Sequence, residues 1–421
     1  MALYRIRHAE RLRGELEIHT AKNAVLPILC AGLLTREPLR IEGVPHLTDV
    51  DTLWAILQDC GAQICREGDA LTLFTPEPVS PVEEDLLSRM RASVLVMGPL
   101  LARTGYARVG LPGGCAIGQR PIDLHLKGMQ ALGAESTLTP GSVTLQGTLR
   151  GGSVYLDFPS VGATENVMMA AVLLPGTTVI HNPAREPEIA DLQAFINAMG
   201  GKIRGAGTHY IAVEGVERLH GTAWTPMADR IVAGTLLAAA AITGGEITLT
   251  NAPESDMVAV TAKLREMGCR LEERPGWIHL RAPKRLTAFA QLQTQPHPGF
   301  PTDMQVQMLA LLSTAEGMGV ITENVFENRF THAGDLNRMG AHILCTGRTA
   351  VVRGVPELYG AHVTARDLRG GAALVLAGLR ARGETLVDHA ELIDRGYDHL
   401  ERQLSRLGGK VRRVSAVPGE V

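Results

Sequence analysis

The sequence predicts an α/β protein of two inside-out, barrel-like domains, each made of three βαβαββ repeats with apolar helices in the centre and sheets outside. Three observations predict it. A helix-ending mark recurs six times: DCGAQI at Asp59, ALGAES at Ala131, AMGGKI at Ala198, EMGCRL at Glu266, RMGAHI at Arg338 and RLGGKV at Arg406. Its glycines, Gly61, Gly133, Gly200, Gly268, Gly340 and Gly408, stand 72, 67, 68, 72 and 68 positions apart, the period of a copied supersecondary unit. Each copy also holds a run that is apolar nearly all round, and such a helix must be buried on every side. Finally, 421 residues exceed one ordinary core, so six copies resolve into two sets of three.

The elements follow in order within each copy. The apolar runs predict buried helices over 24–34, 92–102, 164–174, 230–242, 303–315 and 370–381. β-branched or alternating segments follow them, as in PLRIEGV, YARVGLP, TTVIHNP, GEITLTN, GVITENV and ETLVDHA, and these predict strands. A second helix comes next and is amphipathic, as in DVDTLWAILQDCGA and RGYDHLERQLSRLGG, so one of its faces meets water. The glycine mark ends it, because glycine takes the left-handed conformation past a helix end without a Cβ clash. Two further strands, such as LTLF or YIAV, close the unit. Three units around a threefold pseudo-axis place the wholly apolar helices inside and the sheets around them.

Composition narrows the function classes. The chain is 45% hydrophobic, 20% charged and only 4% aromatic, which predicts a soluble protein with an aliphatic interior. With 41 Lys plus Arg against 44 Asp plus Glu, the net charge of −3 supplies no general attraction to nucleic acid or to an anionic membrane. No export signal is recognisable at the N-terminus, and no apolar run reaches the roughly 20 residues a spanning helix needs. A cytoplasmic protein with neither a nucleic-acid nor a membrane partner is expected, and a monomer. The six cysteines show no CxxC pair or zinc spacing, so reduced thiols are expected. No P-loop, G-x-S-x-G, HExxH or strand-following G-x-G-x-x-G motif occurs.

Charge appears where the apolar helices begin. Lys22-Asn23, Arg89 with Arg91, Ser160-Val161-Gly162, Asp229-Arg230, Asp303, and Arg366-Asp367 with Arg369 occupy this slot. Free N–H groups at a helix start favour an anion, and Lys or Arg beside them strengthens the site. A second slot follows the next strand: Cys115 with Arg120, Arg185 with Glu186 and Glu188, Asn328-Arg329, and Asp394-Arg395. Any one of these arginines taken alone reads as a surface salt bridge. As a set gathered by pseudo-symmetry, they predict an arginine-rich cleft shared by the two domains, suited to a substrate bearing carboxylate and phosphate. The stretch LPGGCAIGQRP, Leu111 to Pro121, is the least core-like and reads as a lid whose Cys115 thiol is activated by Arg120. Cys30 and Cys60, on apolar helical faces, read as packing residues, and His125 and His297 as structural.

Eight separate blocks resemble the enolpyruvyl transferase family, in its branch that takes UDP-N-acetylglucosamine as acceptor. They are AKNAVLPIL at Ala21, MRASVLVMGPLLAR at Met90, LPGGCAIGQRPIDLH at Leu111, PSVGATEN at Pro159, AREPEI at Ala184, FPTDMQ at Phe300, ENVFENRF at Glu323 and DLRGGAALVLAG at Asp367. The resemblance implies domains of residues 22–228 and of 1–21 with 229–421, the first strand region completing the second domain. It implies transfer of the enolpyruvyl group of phosphoenolpyruvate to the 3-hydroxyl of the GlcNAc moiety, with release of phosphate, as the first committed step of peptidoglycan synthesis. It implies addition then elimination through a tetrahedral ketal, and no metal or organic cofactor.

Carried over by position, Cys115 matches the general acid, and an epoxide phosphonate such as fosfomycin is expected to label it. Asp303 matches the carboxylate beside the sugar hydroxyl and is the expected general base. Lys22, Arg120 and Arg395 match the groups that hold the phosphate and carboxylate of phosphoenolpyruvate, and Asp367, Arg369 and Arg329 line the same cleft. Asn23, Arg91, the run Arg120, Pro121, Ile122, Asp123 and Leu124, then Ser160, Val161, Gly162 and Val325 match the UDP-sugar site. The chain departs from some members at Phe158-Pro159, where they carry a lysine, and at Ala228, where others carry proline. A shikimate-pathway relative, 5-enolpyruvylshikimate-3-phosphate synthase, would expect serines around Lys22 and no cysteine lid. A non-catalytic or RNA-end-processing module on the same units would expect a basic surface.

Overall fold

The computed structural model describes residues 2–80, 91–110 and 122–415, which divide into two compact α/β units: residues 2–19 with 228–415, and residues 20–110 with 122–227. Each has its own hydrophobic core.

In the unit of residues 2–19 and 228–415, the apolar runs form the helices Arg230–Ile242, Thr302–Thr314 and Leu368–Arg380, and all three touch one another. Nearly every residue in them is buried, as an apolar surface with no polar stripe requires. In the unit of residues 20–227 the equivalents are Lys22–Ala31, Met97–Thr104 and Val161–Ala171. The second of these departs from the regular pattern. Its run is split into a 3-10 segment, Arg91–Val96, and a short α-helix that starts two residues before Pro99. Pro99 lacks the N–H that would bond the Leu95 carbonyl and disfavours α-geometry at Gly98, which fits a helix restarting just before it; it is no absolute bar, since Pro27 lies inside Lys22–Ala31.

The second helices fall as the amphipathic segments predict, for example Thr48–Asp59, Pro187–Ala198 and Val258–Glu266. The six glycines that follow the second helices all have positive φ, from 87° to 103°. The described strands form six separate sheets, five of four strands and one of three, and none closes on itself. The barrel-like character lies instead in separate sheets packed around the helices, with alternate side chains turned inward.

Sheet register shows how each unit is closed. In the third repeat, Ser153–Tyr155 runs parallel to Thr177–His181, and the rest of the sheet is antiparallel. In the first repeat the corresponding parallel strand is Ala223–Trp224, which pairs with Leu39–Ile41. Asp191 fixes that segment by accepting from Trp224 Nε1 at 3.1 Å and from the Met227 amide at 3.0 Å. In the fourth repeat the parallel strand is Arg13–Glu17, beside Glu246–Ala252. The last sheet has the order His362–Thr364, Glu384–Asp388, Ala2–Arg7, Lys410–Ser415, so the first strand of the chain lies inside the last sheet.

Candidate functional site

The helix Thr302–Thr314 starts just after Pro301 and puts Asp303 in its first turn, where the free N–H groups favour a carboxylate. Everything from Met304 onward is buried, so Asp303 is the last side chain of this helix to keep contact with the surface, at 27% exposure. Its Oδ1 accepts from Arg329 Nη2 at 2.8 Å, and its Oδ2 accepts from Arg369 Nε at 3.3 Å and Nη2 at 3.2 Å. Arg329 and Arg369 are 1% and 3% exposed. Two buried guanidiniums thus grip the one carboxylate from both sides, with charge-assisted hydrogen bonds to each oxygen.

The two arginines are backed differently. Arg329 lies over the Phe326 ring at 5.5 Å, and Arg369 over the Tyr397 ring at 5.1 Å. Behind Arg369 is a buried polar group in an otherwise aliphatic core. Gln307 Nε2 donates to Thr235 Oγ1 at 2.9 Å and to Tyr397 Oη at 3.3 Å, and the Thr235 and Tyr397 hydroxyls are 2.9 Å apart. Burial alone would weaken the Arg369 charge; Tyr397, Asp303 and Asp229 outweigh it and push the guanidinium above its ordinary value.

Around this cluster, Asp367 caps the helix Leu368–Arg380, its Oδ1 accepting from the Arg369 amide at 3.0 Å and the Gly370 amide at 2.9 Å. Arg366 turns away to Asp335, at 3.6 Å. His332 is 2% exposed, and burial pushes its imidazole down to about 4 against the pull of Asp367 and Asp335. Val325 is half-buried, and its amide donates to Glu323 Oε1 at 2.8 Å. Glu323 is wholly buried and also accepts from Thr294 and Thr302, so it braces this loop against the start of the Asp303 helix. Arg395 follows the short helix Ala390–Ile393 and is half-buried, whereas Asp394 bonds Arg413 and Tyr4.

In the unit of residues 20–227, Lys22 opens the first buried helix, and its Nζ lies 3.0 Å from Asp49 Oδ2, with side chains only 11% and 9% exposed. Asn23 beside it is half-buried. Ser160 caps the helix Val161–Ala171 by accepting from the Ala163 amide at 3.4 Å. A Cβ on Gly162 would come within 3.1 Å of the His125 ring, so glycine lets the helix start approach that imidazole. His125 is 5% exposed, and its Nδ1 accepts from Asn166 at 2.9 Å, a structural arrangement. Ile122 is buried, Leu124 half-buried, and Asp123 exposed in the first turn of Asp123–Ala131. Cys30 and Cys60 are fully buried; burial pushes Cys60 up to about 12 and raises Cys30 as well, so both remain thiols. Arg89, Cys115, Arg120, Pro121 and the Arg91 side chain lie outside the described residues.

The structure thus joins Asp303, Arg329 and Arg369 directly and places Asp367 at the same helix start. It sets Lys22 on Asp49 in the other unit. Asp49, Tyr397, Gln307 and Thr235 were not singled out in the sequence. A signal existed for two of them, since Thr235 and Gln307 are polar residues inside runs that are otherwise apolar.

Comparison with known proteins follows this geometry. Residues 6–404 match the family model described as EPSP synthase (3-phosphoshikimate 1-carboxyvinyltransferase). UDP-N-acetylglucosamine 1-carboxyvinyltransferase 1 of Symbiobacterium thermophilum is 52% identical over 96% of this chain and 93% of its own length. UDP-N-acetylglucosamine 1-carboxyvinyltransferase 2 of Carboxydothermus hydrogenoformans is 50% identical over 99% of this chain and 100% of its own. Among solved structures, the enolpyruvyl transferase NikO from Streptomyces tendae superposes with a TM-score of 0.89 at 24% identity, covering 99% of both chains. EPSP synthase from Acinetobacter baumannii superposes at 0.74 and 17% identity, covering 99% of this chain and 100% of that one. These two carry the fold.

Proposed function

The chain belongs to the EPSP synthase family of enolpyruvyl transferases, and from that premise we propose that it transfers the enolpyruvyl group of phosphoenolpyruvate to the 3-hydroxyl of the GlcNAc moiety of UDP-N-acetylglucosamine, releasing phosphate. Relatives at about half identity over nearly the whole chain carry that acceptor in their names, which favours it over shikimate 3-phosphate. The product commits the sugar nucleotide to peptidoglycan, and the reaction belongs in the cytoplasm, where both substrates are made.

One observation carries the chemistry: a partly exposed Asp303 carboxyl fixed by two buried arginines at the start of a buried helix. Asp303 takes the proton of the 3-hydroxyl as its oxygen bonds to C2 of phosphoenolpyruvate. The Cys115 thiol delivers a proton to C3, and the ketal forms. Loss of the C3 proton and departure of phosphate then restore the double bond. Pairing with two arginines fixes the direction of the Asp303 carboxyl, and a weak base suffices when the carbon attacked is becoming cationic.

Lys22, oriented by Asp49, binds phosphoenolpyruvate together with Arg120 and Arg395. Arg369 and Arg329, buried against Asp303, act through that carboxylate, and Asp367 sets the start of the helix that carries Arg369. Asn23, Arg91, Arg120, Pro121, Ile122, Asp123, Leu124, Ser160, Val161, Gly162 and Val325 bind the sugar nucleotide. The proposed working unit is a monomer.

The test is phosphate release from phosphoenolpyruvate on adding UDP-N-acetylglucosamine, with shikimate 3-phosphate as the comparison acceptor. Release with the first alone is expected. Release only with shikimate 3-phosphate overturns the acceptor, and release with neither overturns the assignment.

A further inference from the structure

The unit of residues 2–19 and 228–415 carries a concentration of positive charge that the reaction does not use. At one end of the sheet ordered Arg270–Arg274, Gly276–Arg281, Glu246–Ala252, Arg13–Glu17, a single cross-strand row reads Arg270, Arg281, Glu246, Arg13. Arg270 and Arg281 oppose each other directly, a placement in which like charges destabilise a sheet. Arg11 and Lys284 flank the row, and all six side chains line a concave cavity of about 470 Å³. Glu246 lies 3.4 Å from His279 Nε2 and 3.9 Å from Arg281 Nε; the side chains of Arg11, Arg13, Arg270 and Lys284 have no hydrogen-bond or ion-pair partner among the described residues.

The repeats supply an internal comparison. The equivalent row of the third repeat sets Lys202 against Glu214, joined at 2.7 Å; that of the sixth also sets two cations side by side, Lys410 and Arg7, but Arg7 is joined to Glu384 at 2.8 Å. In the second it is Glu135, Gln146 and Tyr106. In the fourth the row holds three cations and one carboxylate, and Arg11 and Lys284 bring the cavity lining to five cations against one carboxylate, four positive charges in excess. The helices Arg230–Ile242 and Val258–Glu266 end at the cavity wall, but each helix end offers only about half a negative charge, too little to balance them.

We propose that this cavity binds a compact polyphosphate, such as the di- or triphosphate portion of a nucleotide. The volume is that of a small-ligand site. Arginine forks match phosphate oxygens, and an anion between Arg270 and Arg281 removes their repulsion. No aromatic residue lines the cavity, so the phosphate chain is recognised and a base is not.

Isothermal titration of the whole chain with tripolyphosphate and with ATP tests this, using Arg270→Glu and Arg13→Ala variants. The wild type binds one tripolyphosphate at this site, both variants bind it at least about tenfold more weakly, and ATP matches tripolyphosphate within about threefold. Enolpyruvyl transfer is unchanged in both. Arg270→Glu also melts higher than wild type in anion-free buffer, since it converts a repulsive pair into an attractive one, and the melting temperature rises with added tripolyphosphate in wild type alone. Heat that is absent in wild type, or that survives undiminished in Arg270→Glu, overturns the site. ATP binding more than about tenfold tighter than tripolyphosphate overturns the claim that only the phosphate chain is read.

Discussion

Asp303 owes its direction to arginines that are themselves immobile, one against Phe326 and the other against Tyr397. Asp303→Asn keeps the size and removes the charge, so Arg329 loses its ion-pair partner and Arg369 keeps Asp229 as its acidic neighbour. Turnover is expected to fall by about 10²–10⁴-fold. Melting should show a loss of about 3–5 kcal/mol, because breaking the buried pair leaves the Arg329 guanidinium uncompensated. Steady-state turnover within a few fold of wild type would remove Asp303 from the chemistry. His332 behaves differently. Its folded-state value near 4 lies below the 6.5 of an ordinary imidazole, so the unfolded chain takes up the proton first as pH falls. Its contribution is complete above pH 6.5 and is lost as pH falls from 6.5 towards 4. Melting temperatures across that window should fall more steeply for wild type than for His332→Gln; parallel curves would refute it. Lys22, Asp303 and Arg369 were legible in the sequence because a charge at the mouth of a wholly apolar run has no ordinary surface role. Asp49 and Tyr397 were not, since their importance arises from partners distant in sequence: Asp49 meets Lys22 across 27 positions, and Tyr397 meets Thr235 of another repeat across 162.

At the scale of elements, helix contacts depend on small residues where two core helices meet. Gly98 packs on the helix Val161–Ala171, where a Cβ would come 2.3 Å from the Asn166 carbonyl oxygen, and its amide donates to Asn166 Oδ1 at 2.8 Å. Asn166 also donates to the Val94 carbonyl and to His125. Gly98→Ala should therefore destabilise by about 1–3 kcal/mol, as overpacking does, measured by denaturant unfolding. An unchanged midpoint would show that the helices separate freely. The order of elements was legible because burial imposes an all-apolar helix and glycine marks its partner's end. The split of the second run was not anticipated, although Gly98-Pro99 stood in it. The exchange of parallel strands was not legible either: Ala223–Trp224 is only two residues long and has no periodicity to read.

At the scale of the whole molecule, each compact unit is completed by chain from beyond its own three repeats. The strand Ala2–Arg7 lies between Glu384–Asp388 and Lys410–Ser415, paired on both edges, with Tyr4 and Ile6 wholly buried. Removal of residues 2–7 leaves two facing ladders open and two core positions empty. The expected outcome is a chain whose 228–415 portion is digested by protease while the 20–227 portion survives; equal resistance of both would show the strand to be dispensable. The same placement imposes a schedule on synthesis. A ribosome adding about 5–20 residues per second needs roughly 20–80 s to pass from the first strand to the last, and through that interval the opening segment has no partner. The 20–227 unit is contiguous and can finish folding while the remainder is still being made. The earliest residues translated are thus among the latest to be secured, and a nascent chain stalled before residue 384 would display them to whatever chaperone or protease waits at the exit tunnel.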